Sequence, residues 1–389
     1  MKILYMDWQF YGKDDIIKAM RHLGHSVDIS TLEPSDFRTD PNFTTAFNKI
    51  LYDGQYQAVF TSNYYPIISD SCQHYNIKYI SWGYDSPWVL LYSNTIYNSC
   101  NYVFWFDKAQ CEDIWKHNVS TVYYLPLAVD MERLNAIQMS KQEKELFGAD
   151  VSMVASLYNE KHNLYDRMEP RLDDYTRGYL EAAMLAQKNL FGGFILEELL
   201  HNSPILANMK KALRYDPDEN GFETSEYIYA NYFLSRKVAS MQRLEYIDAI
   251  SRNFEMKVYT PGDLSMIPTA KKMGTVDYLT DMTKVFRASK INFNITLPSI
   301  HTGMPLRVID IMGAGGFLLT NYQADFFDFF EPDKDFVYYT SLDDALDKIG
   351  YYLNHEEERA QIANNAKQRM AEAHTILQRM ETIFEICAN

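Results

Sequence analysis

Residues 290–321 read KINFNITLPSIHTGMPLRVIDIMGAGGFLLTN, and the order of elements in this stretch decides the fold. Ile291 to Thr296 is an apolar-rich run of strand type, followed by a polar loop that carries Ser299, His301, Thr302 and Gly303. Pro305 opens a short helix, because its fixed φ suits a first helical position and its missing N–H costs nothing there. Gly313, Gly315 and Gly316 close that helix, and Phe317 to Thr320 forms a second strand. A loop that leads from a strand into a helix N-terminus leaves unpaired N–H groups and a partial positive charge facing solvent. That is an anion site, most often for phosphate.

The Gly313-Ala-Gly-Gly316 cluster is not a dinucleotide fingerprint. That fingerprint runs strand, glycines, helix, whereas the order here is helix, glycines, strand. The cluster is therefore read as a tight turn at the end of the sheet away from ligands, and the loop carrying Ser299, His301, Thr302 and Gly303 lies at the ligand end.

The same residues resemble the nucleotide-binding core of GT-B glycosyltransferases, specifically the CgeB-like (spore-maturation) branch near the large retaining group. That group carries two glutamates with seven residues between them, flanking a Gly-x-Pro-like turn. Thr302 and Asp310 occupy those positions here, with Gly303 and Pro305 between them. Ser81-Trp-Gly-Tyr-Asp-Ser-Pro87, Leu91 to Tyr97, Val103-Phe-Trp-Phe-Asp107 and Tyr124-Leu-Pro-Leu-Ala128 resemble the N-terminal half of the branch, and Val151 to Tyr158 the strand opening its C-terminal half. The resemblance covers roughly two thirds of the chain. It implies an α/β fold of GT-B type, with two Rossmann-like domains facing across a cleft and a helical elaboration in the second.

A chain of 389 residues, 47% hydrophobic and 23% charged, suits a globular protein of two domains. A net charge of −15 argues against nucleic acid or an anionic membrane surface as main partner, since phosphate backbones are bound by clustered Lys and Arg. No run reaches the roughly 18 apolar residues of a membrane span. Met1 to Asp7 turns polar too quickly for a signal peptide, so a cytoplasmic protein is expected. Cys72, Cys100, Cys111 and Cys387 lack metal-ligand spacing and read as reduced thiols.

From the N-terminus the pattern alternates strand and helix: strands at Lys2–Met6, Ser26–Ile29, Ala58–Thr61, Lys78–Trp82 and Tyr102–Phe106, and helices at about 13–23, 42–52, 66–75 and 91–98. Such alternation predicts a parallel, doubly wound sheet whose strand carboxyl ends form a ligand rim. Asp7-Trp8-Gln9, Thr61-Ser62-Asn63 and Gly83-Tyr84-Asp85 fall on that rim. Asp85 is a candidate to orient or deprotonate an acceptor hydroxyl, or else it shapes the turn before Ser86 and Pro87. Asp107 divides in the same way. Helical periodicity dominates from about 160 to 252, with Val238, Met241, Leu244 and Ile247 as one apolar face. The α/β pattern then returns with Met256–Thr260, Val276-Asp-Tyr278, a helix from Asp281, and Gln361–Ile386 as a candidate helix crossing back to the first domain. The expected division is 1–135 as the acceptor-side domain, 136–365 as the nucleotide-sugar-binding domain, and 366–389 as the returning helix. A homodimer is compatible with the helical region.

The resemblance implies a glycosyltransferase of hexosyl type that uses a nucleotide sugar, a UDP-sugar, as substrate, without cofactor or metal and with retention at the anomeric centre. The acceptor is a glycan, protein or small molecule. Arg307, His301 and Asp85 are the catalytic candidates, with Arg307 reaching a donor phosphate. Asp310 would hold the ribose, Thr302, Gly303 and Met304 would help to bind the donor, and Tyr278 or Asp277 would touch the base. Asp333-Lys-Asp335 matches an acid-x-acid metal pattern but lies in a charged surface loop. Because Thr302 is no carboxylate, the alternative is a non-catalytic sugar-nucleotide-binding or scaffolding paralogue.

Overall fold

The structure, a computed structural model, describes residues 1–8, 10–161 and 163–388. Gln9, placed on the rim by its sequence position, lies outside the described residues. The chain divides into two compact units, the first built from Met1–Asp130, Asp218–Glu223 and Ala373–Asn389, the second from Met131–Pro217 and Thr224–Glu372.

The first unit holds six parallel strands, β1 (Lys2–Met6), β2 (Ser26–Ser30), β3 (Ala58–Ser62), β4 (Lys78–Trp82), β5 (Asn101–Trp105) and β6 (Val122–Tyr124), in the order β2-β1-β3-β4-β5-β6. The inner strands are apolar on both faces, as helices packed on both sides of a parallel sheet require, and Ile3, Tyr5, Phe60, Ile80 and Phe104 are fully buried. The helix Pro41–Gly54 starts where Asp40 accepts hydrogen bonds from the N–H groups of Asn42 and Phe43, both at 3.0 Å. These bonds, with those from Ser35, hold the Asp40 carboxyl down at about 2. The helix expected at 91–98 is instead two 3₁₀ turns, Val89–Tyr92 and Asn94–Tyr97. Ser93 sits between them in an extended conformation and its hydroxyl accepts from the Thr95 N–H, the local competition by which Ser, Asn and Thr displace helical bonds.

The second unit holds β7 (Val151–Val154), β8 (Met256–Tyr259), β9 (Lys271–Gly274), β10 (Ile291–Asn294), β11 (Leu318–Asn321) and β12 (Val337–Tyr339), all parallel, in the order β12-β11-β10-β7-β8-β9. Counted from β7 this is the 3-2-1-4-5-6 order, whose direction reverses between β7 and β10, the place where doubly wound sheets bind ligands. Its core is layered through Val151, Ile247, Val258, Phe293, Leu319 and Tyr339. Val276 to Tyr278 is loop rather than strand. The edge strand lies earlier, where Lys271 and Lys272 disguise it and Gly274, at φ +77°, ends it.

Between β7 and β8 the chain is helical, ending in the long helix Ser235–Asn253, entered through a π-helical segment at Tyr229–Leu234. Its buried face is Ser235, Ala239, Arg243, Ile247 and Ile250, with Val238, Gln242 and Tyr246 beside it; Met241 and Leu244, expected on that face, are half-buried. Gln361–Ile386 is not one helix. Glu356–Ala373 and Ile376–Ala388 are separated at His374 and Thr375, where Thr375 bridges to Val129 in the first unit. Among the described residues no helix is long and apolar enough to cross a membrane.

Candidate functional site

The helix expected after Pro305 runs Leu306–Ala314, with Pro305 just outside it in an extended conformation (φ −68°, ψ 155°). Proline thus takes the capping position instead of the first helical one. It supplies no side-chain acceptor, so the leading N–H groups of the helix are left without a cap from that residue. At the other end Gly315 adopts φ +82°, its N–H reaching the carbonyl of Met312, while the Gly316 N–H reaches that of Ile311. A Cβ on Gly316 would lie 2.8 Å from the Phe286 carbonyl oxygen, so the glycines do form a close-packed turn.

The loop from β10 to this helix is tied down along its length. Thr296 donates its N–H to Asn321 Oδ1 (2.8 Å), and Asn294 Nδ2 donates to Thr296 Oγ1 and Thr320 Oγ1 at 3.1 and 3.0 Å. The Ser299 N–H donates to Ser235 Oγ (2.9 Å), fastening the loop to the long helix. Gln323 Nε2 donates to the carbonyls of Ile300 (3.0 Å) and Gly303 (3.1 Å), and the Asp325 N–H to that of Thr302 (3.0 Å). With these carbonyls turned into the protein, the loop presents a fixed backbone. Met304 is buried, and the His301 ring stacks on Phe194 of the helical region at 4.7 Å.

Three predicted residues meet beside the helix. Tyr278 donates its hydroxyl to Asp310 Oδ1 at 3.1 Å, and Arg307 Nη1 lies 3.6 Å from Asp310 Oδ2. Asp310 is buried, whereas the Arg307 side chain keeps 29% of its surface exposed. Burial, and secondly the Asp310 charge, push the Tyr278 hydroxyl well above its ordinary pKa, so it stays protonated as a donor. Burial lowers the Arg307 pKa and Asp310 opposes the shift; an arginine remains cationic throughout. Arg307 also contacts Met282 Sδ and lies 5.8 Å over the Phe286 ring, so it is anchored on three sides. Asp277 does not join this group. Its carboxylate accepts from the Thr280 N–H and hydroxyl at 2.9 and 2.8 Å, capping the turn into Asp281–Ala288.

Asp85 belongs to the first unit, on the rim at the carboxyl end of β4. Asn63, at φ +69° after β3, donates its Nδ2 to Asp85 Oδ2 (2.7 Å) and accepts the N–H groups of Tyr84 (2.7 Å) and Asp85 (3.0 Å) on its Oδ1. The carboxylate is exposed and oriented by a fixed neighbour. Asp107, in contrast, is fully buried and caps the helix Lys108–Lys116. Asp335 is buried too, accepting from the Glu331 N–H at 2.9 Å with Arg369 at 3.6 Å, which makes the acid-x-acid stretch a turn. Among the described residues no three His, Cys, Asp or Glu side chains are grouped to hold a metal ion.

Two arginines were not anticipated. Arg133 stands 5.6 Å over the Tyr278 ring. Arg243, 6% exposed, donates Nη2 to the Ile295 carbonyl (2.7 Å) and Nη1 to the Ser156 carbonyl, spanning the ends of β10 and β7. The signal in the sequence was a charge four residues from Ala239 and four from Ile247, in the middle of an apolar stripe.

Residues 243–385 match a family model described as glycosyl transferase-like. No curated protein matches the chain. Three solved structures align over the full 100% of this chain: a glycosyltransferase from Rickettsia africae ESF-5 (10% identity, 99% of that chain, TM-score 0.54), Anabaena HepE in complex with UDP-glucose (10%, 99%, 0.56) and sucrose-phosphate synthase from Thermosynechococcus elongatus (11%, 100%, 0.54). The fold, two parallel six-stranded sheets flanked by helices, is that of GT-B glycosyltransferases.

Proposed function

We propose that this chain, which has the GT-B fold, is a glycosyltransferase that moves a hexosyl group from a nucleotide-diphosphate sugar to an acceptor hydroxyl. The observation that carries the reading is the helix Leu306–Ala314, which has no side-chain cap from Pro305, at the carboxyl end of β10 beside the reversal of strand order. A helix start aimed at a ligand crevice favours negative charge, and here the loop before it is rigid. The complex of the Anabaena neighbour with UDP-glucose and the family match over 243–385 support a UDP-sugar as the donor. The CgeB-like branch, a cytoplasmic setting and a glycan, protein or small-molecule acceptor complete the proposal.

In this mechanism the bond between the anomeric carbon and the diphosphate oxygen breaks, its electron pair staying on the phosphate. The acceptor oxygen bonds to the anomeric carbon, and its proton passes to the departing phosphate oxygen. Negative charge grows on the leaving group as the bond stretches, and the helix N–H groups with Arg307 are fixed in place to meet it. Asp310 accepts from the ribose hydroxyls, while Tyr278, held by Asp310 and Arg133, borders the base. Asp85 and His301 are the candidates to orient the acceptor, and the sugar keeps its anomeric configuration.

The test is release of nucleoside diphosphate from a panel of nucleotide sugars, in EDTA and with Mn²⁺ or Mg²⁺ restored. Turnover that survives the chelator is expected; strict dependence on added metal contradicts the charge-neutralising role of the helix. Failure to hydrolyse or transfer any donor while still binding one favours the non-catalytic reading that Thr302 suggests.

A further inference from the structure

Arg243 is buried yet takes part in none of the ion pairs among the described residues, and both its terminal nitrogens are spent on backbone carbonyls. Its Nε has no acceptor. By contrast, Lys237 on the same helix pairs with Asp166 at 2.7 Å, Lys188 with Glu245 at 2.7 Å, and Arg307 with Asp310 at 3.6 Å. A buried charge that lacks a counter-charge is costly, and proteins retain one where an anion will complete it.

Its position says which anion. The two carbonyls belong to Ser156, just past β7, and Ile295, just past β10, so the guanidinium bridges the two strand ends that part at the reversal of strand order. The face of Tyr158, a residue held at φ +52°, covers it at 4.9 Å. Ser235, two helical turns earlier on the same face, fixes the Ser299 N–H of the anion-facing loop.

We propose that Arg243 is the counter-charge for the donor's diphosphate, and that the helical region between β7 and β8 holds it there while fastening the loop through Ser235. This rests on the reading of the site as a nucleotide-sugar site. Arg307, paired with Asp310 at 3.6 Å, meets the same leaving group from the helix side.

Calorimetric titration of the wild type, Arg243→Met and Arg243→Lys with UDP, ADP, GDP and TDP, and with the matching nucleosides, tests the assignment. The wild type binds one diphosphate. Arg243→Met weakens it about ten- to a hundred-fold, as loss of a charged partner does, and leaves nucleoside affinity unchanged. Arg243→Lys recovers part of the loss, and if the Met variant does not fold, the lysine variant is compared with wild type in the same way. Equal weakening of nucleoside and diphosphate, or no weakening, overturns the assignment while leaving the nucleotide-sugar reading standing. A wild type that binds none of the four diphosphates overturns both.

Discussion

Asp310 is buried one turn into its helix, where its Oδ1 accepts from the Tyr278 hydroxyl at 3.1 Å and Arg307 Nη1 stands 3.6 Å from its Oδ2. Asp310→Asn keeps the shape and loses charge-assisted bonding, so affinity for the nucleoside diphosphate should fall about ten- to a hundred-fold in calorimetric titration. Thr302→Ala should cost less, because the Thr302 carbonyl already serves Asp325 and a threonine offers no carboxylate. Arg307→Ala should lower donor turnover by about 10²-fold, by analogy with removing one fixed donor from an oxyanion site. It should also lower the melting temperature, since Asp310 would keep its burial and lose its cation. Retained stability with unchanged turnover would place Arg307 outside the site. The pairing of Asp310 with Arg307 follows from three-residue helical spacing and is readable in the sequence. That Tyr278 closes on Asp310 while the adjacent Asp277 turns to Thr280 is not, because it depends on where a loop ends after an edge strand hidden by lysines.

At the scale of elements, the strand–loop–helix–glycine–strand order of 290–321 is legible because each boundary has a local chemical cause: proline at the entry, glycine at the exit. Gly315→Ala should destabilise by about 1–2 kcal/mol in chemical denaturation, the cost of a left-handed conformation for a residue with a Cβ. Gly316→Ala should cost more, as its Cβ would press on the Phe286 carbonyl and on Asn292 Nδ2 at 2.6 Å. The reverse ranking would mean that backbone conformation, and not packing, governs this turn. Elements whose boundaries are set by tertiary contact are not legible in the same way: the strand at Lys271–Gly274 and the face of the long helix differ from their periodicity, while the 91–98 segment is broken locally at Ser93. In that helix Arg243 occupies a core position only because two strand ends offer it carbonyls, a partnership no periodicity reveals.

At the scale of the whole molecule, the closing helix Ile376–Ala388 completes the first unit, burying Ile376, Met380, Ile383 and Cys387, with Phe384 against His25 at 4.0 Å. Deleting 373–389 should therefore lower the melting of the first unit far more than that of the second, resolved by hydrogen exchange along the chain; uniform loss would mean that the two units melt as one. Burial lowers the His25 pKa, so the unfolded chain takes up its proton first. Stability from this joint is present above the ordinary histidine pKa near 6.5 and declines as pH falls below it. The route of the chain has a consequence for synthesis. Domains commonly fold in the order in which they leave the ribosome. Here the second unit is complete at Glu372, whereas the first, begun at Met1, still awaits its final helix. The half that emerges first is thus the last to close: its six strands are made by Tyr124, but the apolar surface its final helix covers stays open until Ile376–Ala388 has been made.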